Sequence, residues 1–183
     1  MRPAAVQSKA WIVESLFDLL SVRPLHSIAI SEITQNAELD RRTFYRHFKS
    51  KEDVIRYYIR KEAEQCAEAL RQKALRKNKR VIDNFTIAQT FFAACNGIKE
   101  MLLILHKQNL LHLFFAELNI LIPKYHYQFP IHEMLQVENG DFILAYNIGG
   151  LCNLLVKWLA DDCKKTPDQL AEVVVQVFLA EQI

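Results

Sequence analysis

Three arginines, Arg41, Arg42 and Arg46, fall in one short stretch that reads DRRTFYRHFKSK from Asp40 to Lys51. A guanidinium can form two parallel hydrogen bonds to the edge of a guanine in the DNA major groove, so clustered arginines on a helix are candidate sequence readers. Thr43, Tyr45 and His47 lie among them and carry donors suited to phosphate oxygens. Lys51 adds a cation at the start of the next expected helix, where anions are already favoured. Ser31, which opens the wider stretch SEITQNAELDRRTFYRHFKSK, completes the candidate DNA-contacting set. A lone surface arginine is usually only solvated. The apolar frame around these three makes the difference, because it has the spacing of a helix-turn-helix.

Other chemistry finds little support. A GxSxG elbow, a phosphate-cradling glycine loop and the Glu-x-x-His pattern of a di-iron bundle are all missing. His106, His112, His126 and His132 show no i,i+4 pair, and Cys66, Cys95, Cys152 and Cys163 are widely separated with no CxxC. No catalytic residue, metal site or cofactor is therefore expected. Cys95 and Cys152 sit in strongly apolar stretches and read as core residues rather than redox switches.

The elements that must position the arginines follow from periodicity. Only four glycines and five prolines occur in 183 residues, and apolar residues recur at intervals of three and four, so the expected fold is all-α. Ile12, Leu16, Leu19 and Leu20 stripe a first helix from about Gln7 to Ser21. A second runs near Ile30 to Asn36, and a third near Arg41 to His47 with Asp40 as its N-cap. Placing Phe44 and Phe48 inward turns Arg42 and Arg46 outward, with Thr43 and Tyr45 on the flanks. Ser50 then caps a long helix reaching about Arg76. Phe85 to Ala94, Ile98 to His106 and Leu110 to Ile122 are helical in pattern, with breaks expected at Gly97, around Asn109 and at Pro123. Pro123 to Gly140 reads as a loop. A long helix from about Asp141 to Cys163 follows, and Thr166-Pro167-Asp168-Gln169 supplies a cap, an N1 proline and a capping-box glutamine for the last one. The basic run Arg71 to Arg80 reads as a solvated helix end.

The head motif, TFYRHF after a short helix and before SKED, resembles the TetR (TetR/AcrR) family of transcriptional regulators over roughly the first sixty residues. The pair in RRTFYRHF, with YNIGGLCNLLVKWLADDCKKTPDQLAEVV near the C-terminus, is similar to a Gram-positive (Firmicutes-type) subgroup in its C-terminal domain. Two positions depart from the family pattern: Glu38 stands where the turn usually has glycine, and Ala29 where the second helix usually has a Thr or Ser cap. Each is expected to weaken the head by about 1 kcal/mol.

The resemblance implies an all-helical homodimer whose N-terminal heads read a double-stranded operator and whose larger domain dimerises and often binds a small effector. Repression is the commoner behaviour of the family. The expected division is 1-50 as the helix-turn-helix domain, 51-80 as a connecting helix and 81-183 as the effector-binding and dimerisation domain. Phe85, Phe92, Phe115, Tyr146 and Trp158 can line an effector pocket or simply fill the core. Ala145 and Gly149, four apart, form a small-residue stripe that permits close helix approach, at a dimer seam or inside one subunit; the resemblance favours the seam, with Leu170, Val174 and Val177 as its other candidates. Twofold symmetry then predicts a pseudo-palindromic operator, with heads about 34 Å apart. A co-regulator whose large domain binds a protein partner, or a helical-bundle enzyme, is the alternative.

Composition is compatible with this. Hydrophobic residues make up 51% and charged residues 24%, as in ordinary globular proteins, and a net charge of +2 requires any attraction to DNA to be local. The widely separated cysteines and the lack of a signal-like start point to a cytoplasmic protein. The longest uncharged run, Phe142 to Val156, falls short of a membrane span and reads as a buried helix.

Overall fold

The computed structural model describes residues 3–76, 82–128 and 138–180, and every regular element among them is helical. The head comprises α1 (Pro3–Val22), a single 3-10 turn (Leu25–Ser27), α2 (Ile30–Asn36) and α3 (Arg41–His47). The body comprises α4 (Lys51–Arg76), α5 (Asn84–Gly97), α6 (Lys99–Lys107), α7 (Leu111–Gln128), α8 (Gly140–Ala160) and α9 (Pro167–Ala180).

Ile12, Leu16 and Leu20 recur every fourth residue along α1 and are fully buried, so this stripe anchors the head. Ile33 of α2, Phe44 of α3 and Val54 and Ile55 of α4 close on it. Helices as short as α2 and α3 are not stable alone; burial of one face holds them. The lost cap at Ala29 is partly replaced by Glu32, whose carboxylate accepts the Ala29 N–H at 2.7 Å and pairs with Arg23 at 2.7 Å. That main-chain bond and the Arg23 guanidinium hold the Glu32 carboxyl below its ordinary pKa.

Two turns share one geometry. Glu38, with φ 53°, ends α2: its N–H bonds Gln35 O, and Leu39 N–H reaches back to Thr34 O at 2.8 Å. Asn109, with φ 57°, ends α6 the same way, with Leu110 N–H on Leu105 O at 2.7 Å. Both are left-handed helix stops that satisfy the last carbonyls and turn a leucine back against the helix.

In the body, α5 packs most extensively on α9, and α4 on α7. Most of the buried apolar side chains form one continuous cluster from Ile12 and Phe44 in the head to Phe92, Leu155 and Leu170 in the body. Gln108, at the end of α6, donates to the main-chain oxygens of Leu20 and Arg23 at 2.9 and 3.2 Å, satisfying carbonyls at the end of α1. Thr166 and Gln169 form the reciprocal capping box at the start of α9. Trp158 is buried and donates its indole N–H to Lys165 O at 2.8 Å, tying α8 to the turn that leads into α9.

Two sequence expectations are corrected. Pro123 does not end a helix but lies inside α7, which continues to Gln128. Its ring crowds and leaves unbonded the carbonyl of Asn119, and Asn119 is exposed, so that carbonyl can turn toward water. Of the segment read as a loop, residues 129–137, with His132, lie outside the described residues, as do residues 77–81 at the end of the basic run. The uncharged run in α8 is not buried all round either. Ile148, Cys152, Leu155 and Leu159 face the core, whereas Phe142, Ala145, Tyr146 and Gly150 are exposed. The helix is long and apolar enough to cross a membrane by length and composition, yet its inner face is part of the protein core.

Candidate nucleic-acid interface and body cavity

Asp40 begins α3 by accepting the Thr43 N–H at 2.7 Å, and that bond holds its carboxyl below the ordinary pKa. With Phe44 fully buried and Phe48 nearly so, the rotation of α3 is set. Arg41, Arg42, Tyr45 and Arg46 are all exposed and form one outer face, three cations around an aromatic hydroxyl. Ser31, on the first turn of α2, is exposed as well. This is the arrangement of a helix that can enter a major groove, its cations free to meet base edges or phosphates.

Three of the candidate contact residues are placed differently from the rest. Thr43 is buried rather than flanking, and its hydroxyl donates to Asp40 at 3.3 Å, because a residue beside Phe44 on so short a helix is carried into the head. Lys51 is half-buried and its ammonium donates to Leu25 O and Ile28 O at 2.5 and 2.7 Å, so it latches the 3-10 turn onto the start of α4. His47 is half-buried, its Nε2 enclosed and without a hydrogen-bond partner among the described residues. Burial, then the neighbouring charges of Arg46 and Lys9, holds its pKa below the ordinary imidazole value, which favours the neutral ring.

Lys9 is a residue that local reasoning missed. Its ammonium lies 4.5 Å from the centre of the Tyr57 ring and 5.9 Å from that of Phe48, which brings a fourth cation from α1 to the C-terminal end of α3. Nothing in the local pattern marks it, because the approach depends on how α1 crosses the head.

Among the described residues, an ionic junction joins the part of α4 nearest the head to α7. Glu117 of α7 is 1% exposed and receives Arg56 at 2.9 Å and Arg60 through two bonds, at 2.7 and 3.0 Å. Burial raises the Glu117 pKa, but the two guanidinium groups outweigh it and the carboxyl stays below its ordinary value.

The body holds a partly open cavity of about 390 Å³ lined by α4, α5, α7, α8 and α9. That lies within the range of small-molecule sites. Ile59, Cys66 and Leu70 of α4, Ala88, Phe91 and Cys95 of α5, Phe114, Leu118 and Leu121 of α7, and Ile148 and Leu151 of α8 make its wall apolar. Of the aromatic residues expected there, Tyr146 lines the cavity, but Phe85, Phe92, Phe115 and Trp158 do not. Phe92 and Trp158 are packed into the core, and Phe91 and Phe114, one residue before Phe92 and Phe115, face the space instead. The candidate seam is likewise divided. Ala145 is exposed and Gly149 partly so, whereas Leu170 is buried within the subunit, and Val174 and Val177 line the cavity. Burial raises the thiol pKa of Cys66 and of Cys152 to about 11 and that of Cys95 well above its ordinary value, so all three are poor nucleophiles.

Residues 12–58, from within α1 through the helix-turn-helix into α4, match the sequence profile of the family described as bacterial regulatory proteins, tetR family. The chain is similar in structure to a dihydroxyacetone kinase operon activator, DhaS, with 17% identity and TM-score 0.60 over 95% of each chain. It is also similar to a fatty acid degradation regulator, FadR, from Bacillus halodurans, with 17% identity and TM-score 0.62 over 98% of this chain and 96% of that one. At these identities the likeness establishes a shared fold. No curated protein sequence matches the chain at a significant level.

Proposed function

We propose that this chain, with a tetR-type head on an all-helical body, is a cytoplasmic DNA-binding transcriptional regulator that acts as a homodimer on a pseudo-palindromic operator. The observation that carries the reading is the outer face of α3, where Arg41, Arg42, Tyr45 and Arg46 stand exposed on a helix whose other face is locked into the core by Phe44. Arg41, Arg42 and Arg46 read bases; Ser31 and Tyr45 set the register on phosphates. The strip of α8 with exposed Phe142, Ala145 and Tyr146 and half-buried Gly149 is the seam between subunits, because such an apolar face is rarely left to water. Two heads on one face of the duplex then meet successive major grooves.

The cavity is the effector site. It shares α4 with the head, and Glu117 and Gln108 tie α7 and α6 to α4 and α1. An occupant with different affinity for two arrangements of these helices changes the head spacing, and with it DNA affinity. Repression follows if the operator overlaps a promoter.

Binding of the purified protein to its own upstream DNA and to scrambled DNA, across a salt series, tests the reading. Selective binding by a dimer, with selectivity lost in Arg42→Ala, is the expected result. Equal weak binding to every duplex, including pools of random sequence, refutes it.

A further inference from the structure

The charge pattern of the cavity selects among possible occupants, an inference that rests on reading the cavity as the effector site. Glu62 lies on the lining face of α4, one turn from Ile59 and Cys66, and is the only Asp, Glu, Lys or Arg among the described lining residues. It makes no hydrogen bond or ion pair among the described residues. Three cations of α4 are committed elsewhere. Arg56 and Arg60 are held by Glu117, and Lys73 donates to Gln89 and Thr90 at 2.6 and 2.8 Å. None of the three lines the cavity. The aromatic rings that do, Phe91, Phe114, Tyr125 and Tyr146, offer faces that attract positive charge.

We propose that the cavity binds a lipophilic ammonium compound, its apolar part against the aliphatic wall and its cation beside Glu62. An anionic amphiphile would leave water for a wall with no cation to receive it and one carboxylate to repel it. A cation there meets an opposite charge in surroundings less polar than water, where the attraction is stronger.

Calorimetric titration of the full chain with decyltrimethylammonium, decanol and decanoate, all below their micelle-forming concentrations, separates the possibilities, because the three share one alkyl chain and differ in head charge. The ammonium compound is expected to bind at least about tenfold more tightly than decanoate. In Glu62→Gln its affinity should fall by about fivefold or more, while decanol binding stays within about twofold and reports that the cavity is intact. Decanoate binding as tightly as the ammonium compound overturns the proposal and leaves the cavity standing as an effector site. An ammonium preference undiminished in Glu62→Gln overturns it in the same way. If none of the three binds, both the ligand class and the effector-site reading fall. Should the variant not fold, the order of the three ligands on the wild type decides alone.

Discussion

The side chain of Lys51 reaches back across the head to Ile28, donating a hydrogen bond of 2.7 Å to its carbonyl oxygen. A second bond, of 2.5 Å, goes to Leu25 O. A lysine at the start of α4 would ordinarily be read as a phosphate contact. Here its donors satisfy the main chain of the 3-10 turn that precedes α2, so a residue beside the DNA face serves the stability of the head.

Lys51→Met should therefore destabilise the protein by about 1.5–3 kcal/mol, the range for hydrogen bonds involving a charged group. Urea unfolding checks this. The salt dependence of DNA binding by the folded variant should stay as in the wild type. A log–log salt slope shallower by about 1 with unchanged stability would instead make Lys51 a phosphate ligand.

Arg42 and Thr43 are neighbours in sequence with opposite placements, one exposed and one buried. Arg42→Ala should lose about 1–3 kcal/mol of discrimination between operator and altered operator, with unfolding unchanged. Thr43→Val should lower the melting temperature and leave discrimination intact. Competition binding against single-base operator variants, beside thermal melts, distinguishes the two.

The Glu117 junction predicts a pH effect of definite sign. Its carboxyl titrates below the ordinary glutamate value in the folded state. The stability it contributes is thus fully present above the unfolded pKa, about 4.3, and is lost as pH falls through the lower folded value. Glu117→Ala should cost about 2–4 kcal/mol at neutral pH, less than a fully enclosed pair because Arg60 is half exposed. Denaturant titrations from neutral pH down to acid should show the wild type losing this increment and the variant lacking it.

At Gly149 an added Cβ meets nothing within 4 Å in the subunit. Gly149→Lys should leave the fold of one subunit unharmed, and replacing a helical glycine favours the helix by up to about 1 kcal/mol. A seam between copies would not accept the ammonium. Sedimentation should show a dimer for the wild type and a monomer for the variant, with operator affinity reduced accordingly. A variant that stays dimeric places the seam elsewhere.

The head was legible because its signals are local. Ile30 to Asn36 and Arg41 to His47 emerge as helices with the bounds that the pattern predicts, and Asp40 caps α3 as expected. Glu38 marks a left-handed turn through the position it occupies. Such features depend on a few consecutive residues, where helix period and cap chemistry dominate. The body was legible as helices but not as a site. A period of 3.6 leaves open which of two adjacent aromatic residues faces a space lined by several helices, so Phe91 and Phe114, rather than Phe92 and Phe115, emerge only from packing.

By itself, then, the sequence determined the all-helical class, the helix-turn-helix and the outward arginines, because periodicity, caps and apolar spacing act within one or two helical turns. Tertiary structure decided what distant residues meet: Lys51 with the turn at Leu25 to Ile28, Lys9 with Tyr57, Glu117 with two arginines of α4, and Glu62 with an apolar cavity. Those contacts depend on how helices cross, and crossing is set by the collective packing of side chains remote in sequence rather than by any local pattern.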